Sequence, residues 1–412
     1  MVPLKQVFLA AVLVYRVSAL ANLEEVFAWK ELSFVWPSEE SRLNAIKSGD
    51  YVPGNNLPLG IEKWKNRLFI TVPRWKKGVA ATLGYVPLDQ PINKTAAVIP
   101  YPDLKSQILP KAGEKPGDGH ITSIFRVTVD ACDRLWVVDT GLADILGDPT
   151  VISQPAILIY DLNTDKLIRR YTFKDDDVKQ DSFLANIIID TNKNRCEDAY
   201  GYVPDLGGFG IVVYSLKEND SWRFKHNFFH FDPLQGDFNI GGVNFQWKDG
   251  VFGLALGPED QNGYRTVYFH PLVSLNEFAV NSSILKNKTL ANDPHIYYEF
   301  RLLGNKGEKS QTSSSVYDNP TDVLFLTQLS KDGVACWNTK KDLKPENVAL
   351  VAHDPEKLIF TNDIRIDEDR YLWMISNKMP QYNYYGLNSN EVNYRIFRVK
   401  VDDAIAGTPC VA

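Results

Sequence analysis

One strand pattern returns six times in this 412-residue chain and constrains its fold more than any other feature. A polar turn runs into an apolar, aromatic strand in "NRLFITVPR" (66–74), "DRLWVVDTG" (133–141), "DAYGYVPDL" (198–206), "DGVFGLALG" (249–257), "TDVLFLTQL" (321–329) and "DRYLWMISN" (369–377). The copies lie roughly sixty residues apart, the spacing of propeller blades with loop insertions. A further strand follows each copy, from "ATLGYVPL" (81–88) to "YRIFRVKV" (394–401). Another precedes it, clearest in "SIFRVTVD" (123–130), "NIIID" (186–190) and "DIRID" (363–367). Outer strands follow in five units, but the sixth runs out of chain. A ring of sheets must close, and a strand from the other terminus removes the exposed edge. "VFAWKELSFVW" (26–36) supplies one. The expected fold is all-β: a six-bladed β-propeller closed by an N-terminal strand.

The first residues read as an export signal. Lys5 precedes the apolar run "VFLAAVLVY" (7–15), too short for a membrane span, and "ALA" (19–21) offers a small-x-small cleavage site. We therefore expect a signal peptide over 1–21 and a single propeller domain over 22–412. No later run is long and apolar enough to span a bilayer. Sequons at Asn93, Asn219, Asn281 and Asn287 fit a secreted, extracellular glycoprotein. The four cysteines, with no C-x-x-C, suit two disulfides rather than a metal site. Cys132 and Cys196 occupy the same turn of consecutive units, so they can pair; Cys336–Cys410 then follows by elimination. The other two pairings stay open at this point.

A net charge of −6 argues against a nucleic-acid partner. The one basic cluster, "PRWKKG" (73–78), reads as a solvated loop. "HNFFH" (226–230) spaces two His as helical metal ligands are spaced, but Phe224 to Phe231 reads as strand, which sets them about 13 Å apart. "GGFG" (207–210) lacks the dinucleotide fingerprint. No metal or cofactor is expected.

Several long stretches resemble the yellow/major royal jelly protein family of insects. They include "LEEVFAWKELSFVWP", "SGDYVPGNNLPLGIE", "RLFITVPRWKKGVAATLGYV", "CDRLWVVDTG", "GDFNIGGVNFQW" and "AIAGTPC". The resemblance covers residues 23 to 410, is nearer the yellow branch, and implies a secreted six-bladed propeller. The family includes pigmentation factors, dopachrome-converting enzymes, nutritive proteins and salivary amine-binding proteins. The long, low-complexity C-terminal extension of some yellow members is not seen, so a role resting on such a tail is not implied.

Propellers bind ligands at the channel, where inner strands begin. Small polar residues stand there: Thr122, Ser123, Asn186, Asn244, Thr312, Ser313, Thr361 and Asn362. Asp139, Asp205, Gln328 and Asn377 end the following strands at the same rim. Amine-binding members use a Thr, an Asn and a stacking Phe. The resemblance places Asn362, Asn377 and Met379 at those positions, so it implies a related pocket for a small aromatic amine, catechol or indole. The favoured reading is a pigmentation (melanin-pathway) factor that binds such a molecule. The alternatives are a dopachrome tautomerase/isomerase, with Asp139, Asp205 or Asp363 as candidate base, and a storage or matrix glycoprotein without ligand. Moving one proton needs only a positioned acid/base and a hydrogen-bonded oxyanion.

Overall fold

Strands of the repeated pattern are apolar without alternation. Arg134–Asp139 and Val323–Gln328 are buried at every residue. A strand covered on both faces belongs to a sheet packed between two others. The computed structural model, which describes residues 23–111 and 113–411, shows that arrangement. Six four-stranded antiparallel sheets form a ring. Their inner strands are Ile61–Trp64, Ile124–Val129, Ile188–Asp190, Val251–Glu259, Ser315–Asp318 and Thr361–Ile366. Each neighbours the next, and the last returns to the first. The leader expected over residues 1–21 lies outside the described residues.

The core is divided among the gaps between blades. Leu135, Val137 and Leu158 of blade two pack with Phe69 and Leu83 of blade one. Trp136, Ile157 and Ile159, alternating with them, pack with Val203 and Val212 of blade three. A single strand therefore serves two interfaces. The ring closes as expected. Glu24–Trp29 pairs antiparallel with Tyr394–Lys400, from Glu24 opposite Arg398 to Trp29 opposite Tyr394. Phe27 and Trp29 are buried and stacked, with ring centroids 5.2 Å apart.

The two most similar copies of the pattern share one device. Asp130 accepts from the backbone N–H groups of Cys132 (2.9 Å) and Arg134 (3.1 Å), and its other oxygen accepts the Trp136 indole N–H at 2.7 Å. Asp367 does the same for Asp369, Tyr371 and Trp373, at 3.0, 2.8 and 2.8 Å. One carboxylate thus closes the turn and anchors the blade's tryptophan. The disulfides are Cys132–Cys196 and Cys336–Cys410, with Cα separations of 6.0 and 6.1 Å. The first ties blades two and three and shuts a loop worth about 4 kcal/mol of unfolded-chain entropy.

Three expectations are corrected. In blade four, "DGVFGLALG" is the inner strand rather than the second; Arg265–Pro271, Asn276–Asn281 and Arg301–Asn305 complete the sheet. The preceding stretch forms a separate hairpin, Asp237–Ile240 with Val243–Gln246. Asn244 sits on that hairpin, exposed and bonded to Asn239, so it is no channel residue. Strand also ends at Lys225, and His226 caps a short 3-10 turn over Asn227–Phe229. Among the described residues no group of His, Cys, Asp or Glu is placed to hold a metal ion, and no helix is long and apolar enough to cross a membrane.

Replacing Asp130 or Asp367 by Ala leaves two backbone donors and an indole N–H unpaired in each case. Each variant should lose about 3 kcal/mol of stability in urea unfolding, and Asp130→Ala should lose the more of the two, because it also strips the Arg134 guanidinium of its partner at 2.7 Å.

Candidate functional site

Each of the six inner strands gives one residue, at or just before its start, to a cavity of about 330 Å³ at one rim of the channel: Leu59, Phe125, Ala185, Phe252, Ser313 and Asn362. The rest of the wall comes from loops at the same rim. Trp75, Phe125 and Phe183 make one aromatic side, with Phe125 edge-on to both Trp75 and Phe183 at 4.9 Å. Trp247, Phe360 and Tyr384 make the other; Trp247 meets Phe360 edge-on at 5.7 Å and donates to the Tyr384 hydroxyl at 3.3 Å. Phe360 has φ +53°, a left-handed conformation unusual for a bulky side chain. It turns the chain from the blade connector into the last inner strand.

Beneath the cavity lies Arg126, a fully buried guanidinium. It donates to the Ser313 carbonyl (2.7 Å) and to the Asn362 carbonyl (2.6 Å) and amide oxygen (3.1 Å), linking blade two to blades five and six. The Phe252 ring covers it, with the guanidinium carbon 4.1 Å from the ring centroid. Burial lowers its pKa to about 10, so it stays cationic at neutral pH. Its remaining Nε lies 3.6 Å from Asp363.

The expected ligand residues divide sharply. Asn362 and Met379 both line the cavity, and the Asn362 amide donates toward the Met379 sulfur at 3.6 Å. Asn377 is wholly buried and does not line it. Its amide donates to the Pro58 carbonyl and accepts the Met379 backbone N–H, which fixes Met379 from behind. Ser123 accepts the Arg74 N–H, Asn186 bonds to Phe252 and Ile187, and Thr312 donates to Ser310. Thr122 is buried, its hydroxyl unpaired among the described residues. None of these four belongs to the cavity wall. The three candidate bases are also away from it, each held by the fold. Asp139 accepts three backbone N–H groups, from Thr122, Ser123 and Gly141. Asp205 accepts from Phe183, Gly208 and Ser182 and pairs with Arg223 at 2.8 Å. Asp363 accepts from Ile61, Ser314 and Arg365. The "GGFG" glycines serve the Asp205–Arg223 pair: a Cβ on Gly208 would lie 2.3 Å from Asp205, and one on Gly210 would lie 2.5 Å from Arg223.

Most of the wall was not expected, and three of its residues carry polar groups unmet among the described residues: Trp75, Asp249 and Asn383. "PRWKKG" is no solvated loop: Arg74 is buried against the Thr122, Val79 and Gln107 carbonyls, and Trp75 faces the cavity. Among the described residues the Trp75 indole N–H is buried without an acceptor, and Asn383 Oδ1 is buried without a donor. Asp249 is half-buried, and burial pushes its carboxyl up to about 6. Trp75 and Asp249 are single residues in a loop or connector, and Asn383 lies in the short helix Met379–Tyr384, so no period marks them. The usable signal was composition, an indole beside a basic run and an acid just before an apolar strand.

If Asp139, Asp205 and Asp363 serve the fold, their Asn variants should each be destabilised by about 2–4 kcal/mol, since an amide N–H would then face donors already in place. Urea titration checks this; unchanged stability would return them to the list of reactive candidates.

Comparison with known proteins bears on the whole chain. Residues 122–410 match the family model "Major royal jelly protein". The chain is 40% identical over 394 residues to "Protein yellow" of Drosophila erecta, spanning 95% of this chain and 71% of that relative. The figures for Drosophila melanogaster are the same. For Drosophila subobscura they are 39% over 409 residues, spanning 99% and 70%. Among solved structures, an aldose sugar dehydrogenase of Streptomyces coelicolor aligns at 11% identity and TM-score 0.44, over 92% of this chain and 97% of that one. That likeness is too loose to bear on function.

Proposed function

This chain belongs to the yellow/major royal jelly protein family, and we propose that it is an extracellular pigmentation factor whose channel cavity holds a catechol- or indole-derived ring. The observation that carries this reading is the aromatic cavity with two unpaired polar groups in its wall. Buried polar groups are nearly always hydrogen-bonded. A ligand oxygen at the Trp75 N–H and a ligand donor at Asn383 would complete both. The volume of about 330 Å³ suits one small bicyclic or substituted monocyclic ring. Export through a signal peptide over 1–21 is part of the reading, as is a single domain over 22–412. Two disulfides support it. So do sequons in polar turns, with Asn93, Asn219 and Asn287 exposed; Asn281 is half-buried and caps the following turn.

Calorimetric titration of dopamine, serotonin and 4-methylcatechol tests the cavity. Trp75→Phe keeps a ring but removes the N–H, and should weaken binding by up to about tenfold. Absence of heat with every ring would leave the storage or matrix reading.

Asp249 favours a second reading, dopachrome isomerisation. A carboxylate with a pKa near 6 in an aromatic cavity is suited to take a proton from a saturated ring carbon of an aminochrome. The Trp75 N–H would hydrogen-bond a quinone oxygen, and the proton taken up by Asp249 would be returned to that oxygen, directly or through water, so the atoms balance without an oxidant. The base acts in its deprotonated form, so kcat/KM should rise with pH through about 6. Loss of dopachrome absorbance measures it, and Asp249→Asn should abolish turnover. Turnover surviving in that variant would discard Asp249 as the base.

A further inference from the structure

A second pocket opens at the other end of the blades. The channel cavity gathers the starts of the inner strands. This pocket, of about 260 Å³, lies where blades three and four turn from their inner to their second strands, over residues 190–200 and 259–265. Both turns are held in shape before any ligand arrives. The Cys132–Cys196 disulfide pins the first beside Arg195, and Asn192 Oδ1 accepts the Asn194 N–H at 2.9 Å. In the second, Asp260 accepts the N–H groups of Asn262 and Tyr264 at 2.8 and 2.9 Å. Tyr264 lines the pocket while keeping 37% of its surface exposed.

Charge is already settled there. Lys286 pairs with Asp190 at 2.7 Å, Arg265 with Asp190 and Glu259 at 3.3 and 3.2 Å, Arg195 with Glu259 at 2.9 Å, and Asp198 with Lys217 at 3.0 Å. An ionic ligand would have to break one of these pairs to be held. Hydrogen-bonding capacity is not settled. The Thr191 hydroxyl belongs to the pocket wall and, among the described residues, is buried without a partner, a rare state for a buried polar group. Among the described residues Arg195 bonds through Nη2 alone, which leaves its other donors, and Asp198 uses one carboxylate oxygen. The Lys286 ammonium lies 5.3 and 5.7 Å from the ring centroids of Tyr200 and Tyr264, so two tyrosines border the charged groups.

Spare donors and acceptors side by side, paired charges and flanking tyrosines match one kind of ligand, a ring of hydroxyls on an apolar carbon face. Each hydroxyl both donates and accepts, and a tyrosine offers an apolar face with a polar tip. We propose that this pocket binds one neutral sugar ring, independently of the channel cavity. The sequons Asn281 and Asn287 stand on either side of Lys286 in the sequence. The ring therefore has two possible sources, a separate saccharide or the chain's own N-glycan, and the chemistry of recognition is the same for both.

Calorimetry and saturation-transfer NMR on the full-length purified protein, before and after enzymatic removal of N-glycans, test this. The probes are tri-N-acetylchitotriose, cellotriose and mannotriose, with inorganic phosphate and glucuronate as charged controls. At least one neutral sugar should bind with a Kd of about 1 mM or below. Its affinity should change less than about twofold between about 50 and about 500 mM NaCl, because no ion pair is formed with it. Tyr264→Ala should weaken binding about tenfold, and Thr191→Val about three- to tenfold. Tyr264 is partly exposed on a turn, so its variant should melt where the wild type does. Binding by the glycosylated protein assigns the site to a separate saccharide; binding only after glycan removal assigns it to the chain's own glycan. Both uphold the sugar site. It is overturned if no neutral sugar saturates below about 20 mM in either form. Tighter, salt-dependent binding of phosphate or glucuronate would also overturn it, as would sugar binding that is unchanged in both variants.

Discussion

The pairing of the first described strand with the last holds this structure together. Every blade is covered on both faces by its neighbours, so an incomplete sixth blade would expose apolar faces on two sides as well as an unpaired edge. Glu24–Trp29 prevents this by crossing from the start of the chain to Tyr394–Lys400. The ladder of backbone hydrogen bonds and the burial of Phe27 and Trp29 carry the closure. The Glu24–Arg398 ion pair is solvent-exposed and contributes little. Closure also fixes the circumference, which brings six strand starts close enough to wall a single small cavity.

Within that ring, Arg126 decides where the channel ends. A guanidinium buried on the axis is costly unless its donors are used. It uses them across the ring, on blades five and six, and leans on Phe252 of blade four. The same contacts set the orientation of Asn362, whose amide oxygen is held by Arg126 so that its N–H₂ faces Met379. One residue thus stoppers the channel and orients part of the cavity wall. Asn377 does similar work on the other side, holding Met379 without touching the cavity.

How much of this was legible in the sequence follows from what repeats. The blades, their order, the closing strand and the disulfide between blades two and three were readable because each copy of the unit repeats the same local physics. The Asp130–Trp136 and Asp367–Trp373 anchors are that physics in atomic detail. Blade four was read one strand out of register because its long inner strand has the same composition as the second strands elsewhere. Asn362 was found by its position at a strand start, and Met379 by the family resemblance alone. Thr122, Ser123, Asn186 and Thr312 lie within three residues of true wall residues, but all four precede the first residue of their inner strand, and Ser123, Asn186 and Thr312 spend their side chains on hydrogen bonds within the fold. Trp75, Phe183, Trp247 and Asp249 escaped because loops and connectors obey no period.

The carboxylates give the most general lesson. Asp139, Asp205 and Asp363 drew attention because they stand at strand ends, where a propeller puts its ligands. Strand ends are also where turns leave backbone donors that must be satisfied, and a short acidic side chain satisfies them well. An aspartate at such a place is therefore first a structural part. What distinguishes Asp249 is the absence of that work: a half-buried carboxylate, raised toward neutrality by burial, with no donor supplied to it among the described residues. Position in the repeat located the cavity, but unmet hydrogen-bonding demand separates the residues that face a ligand from those that face the fold.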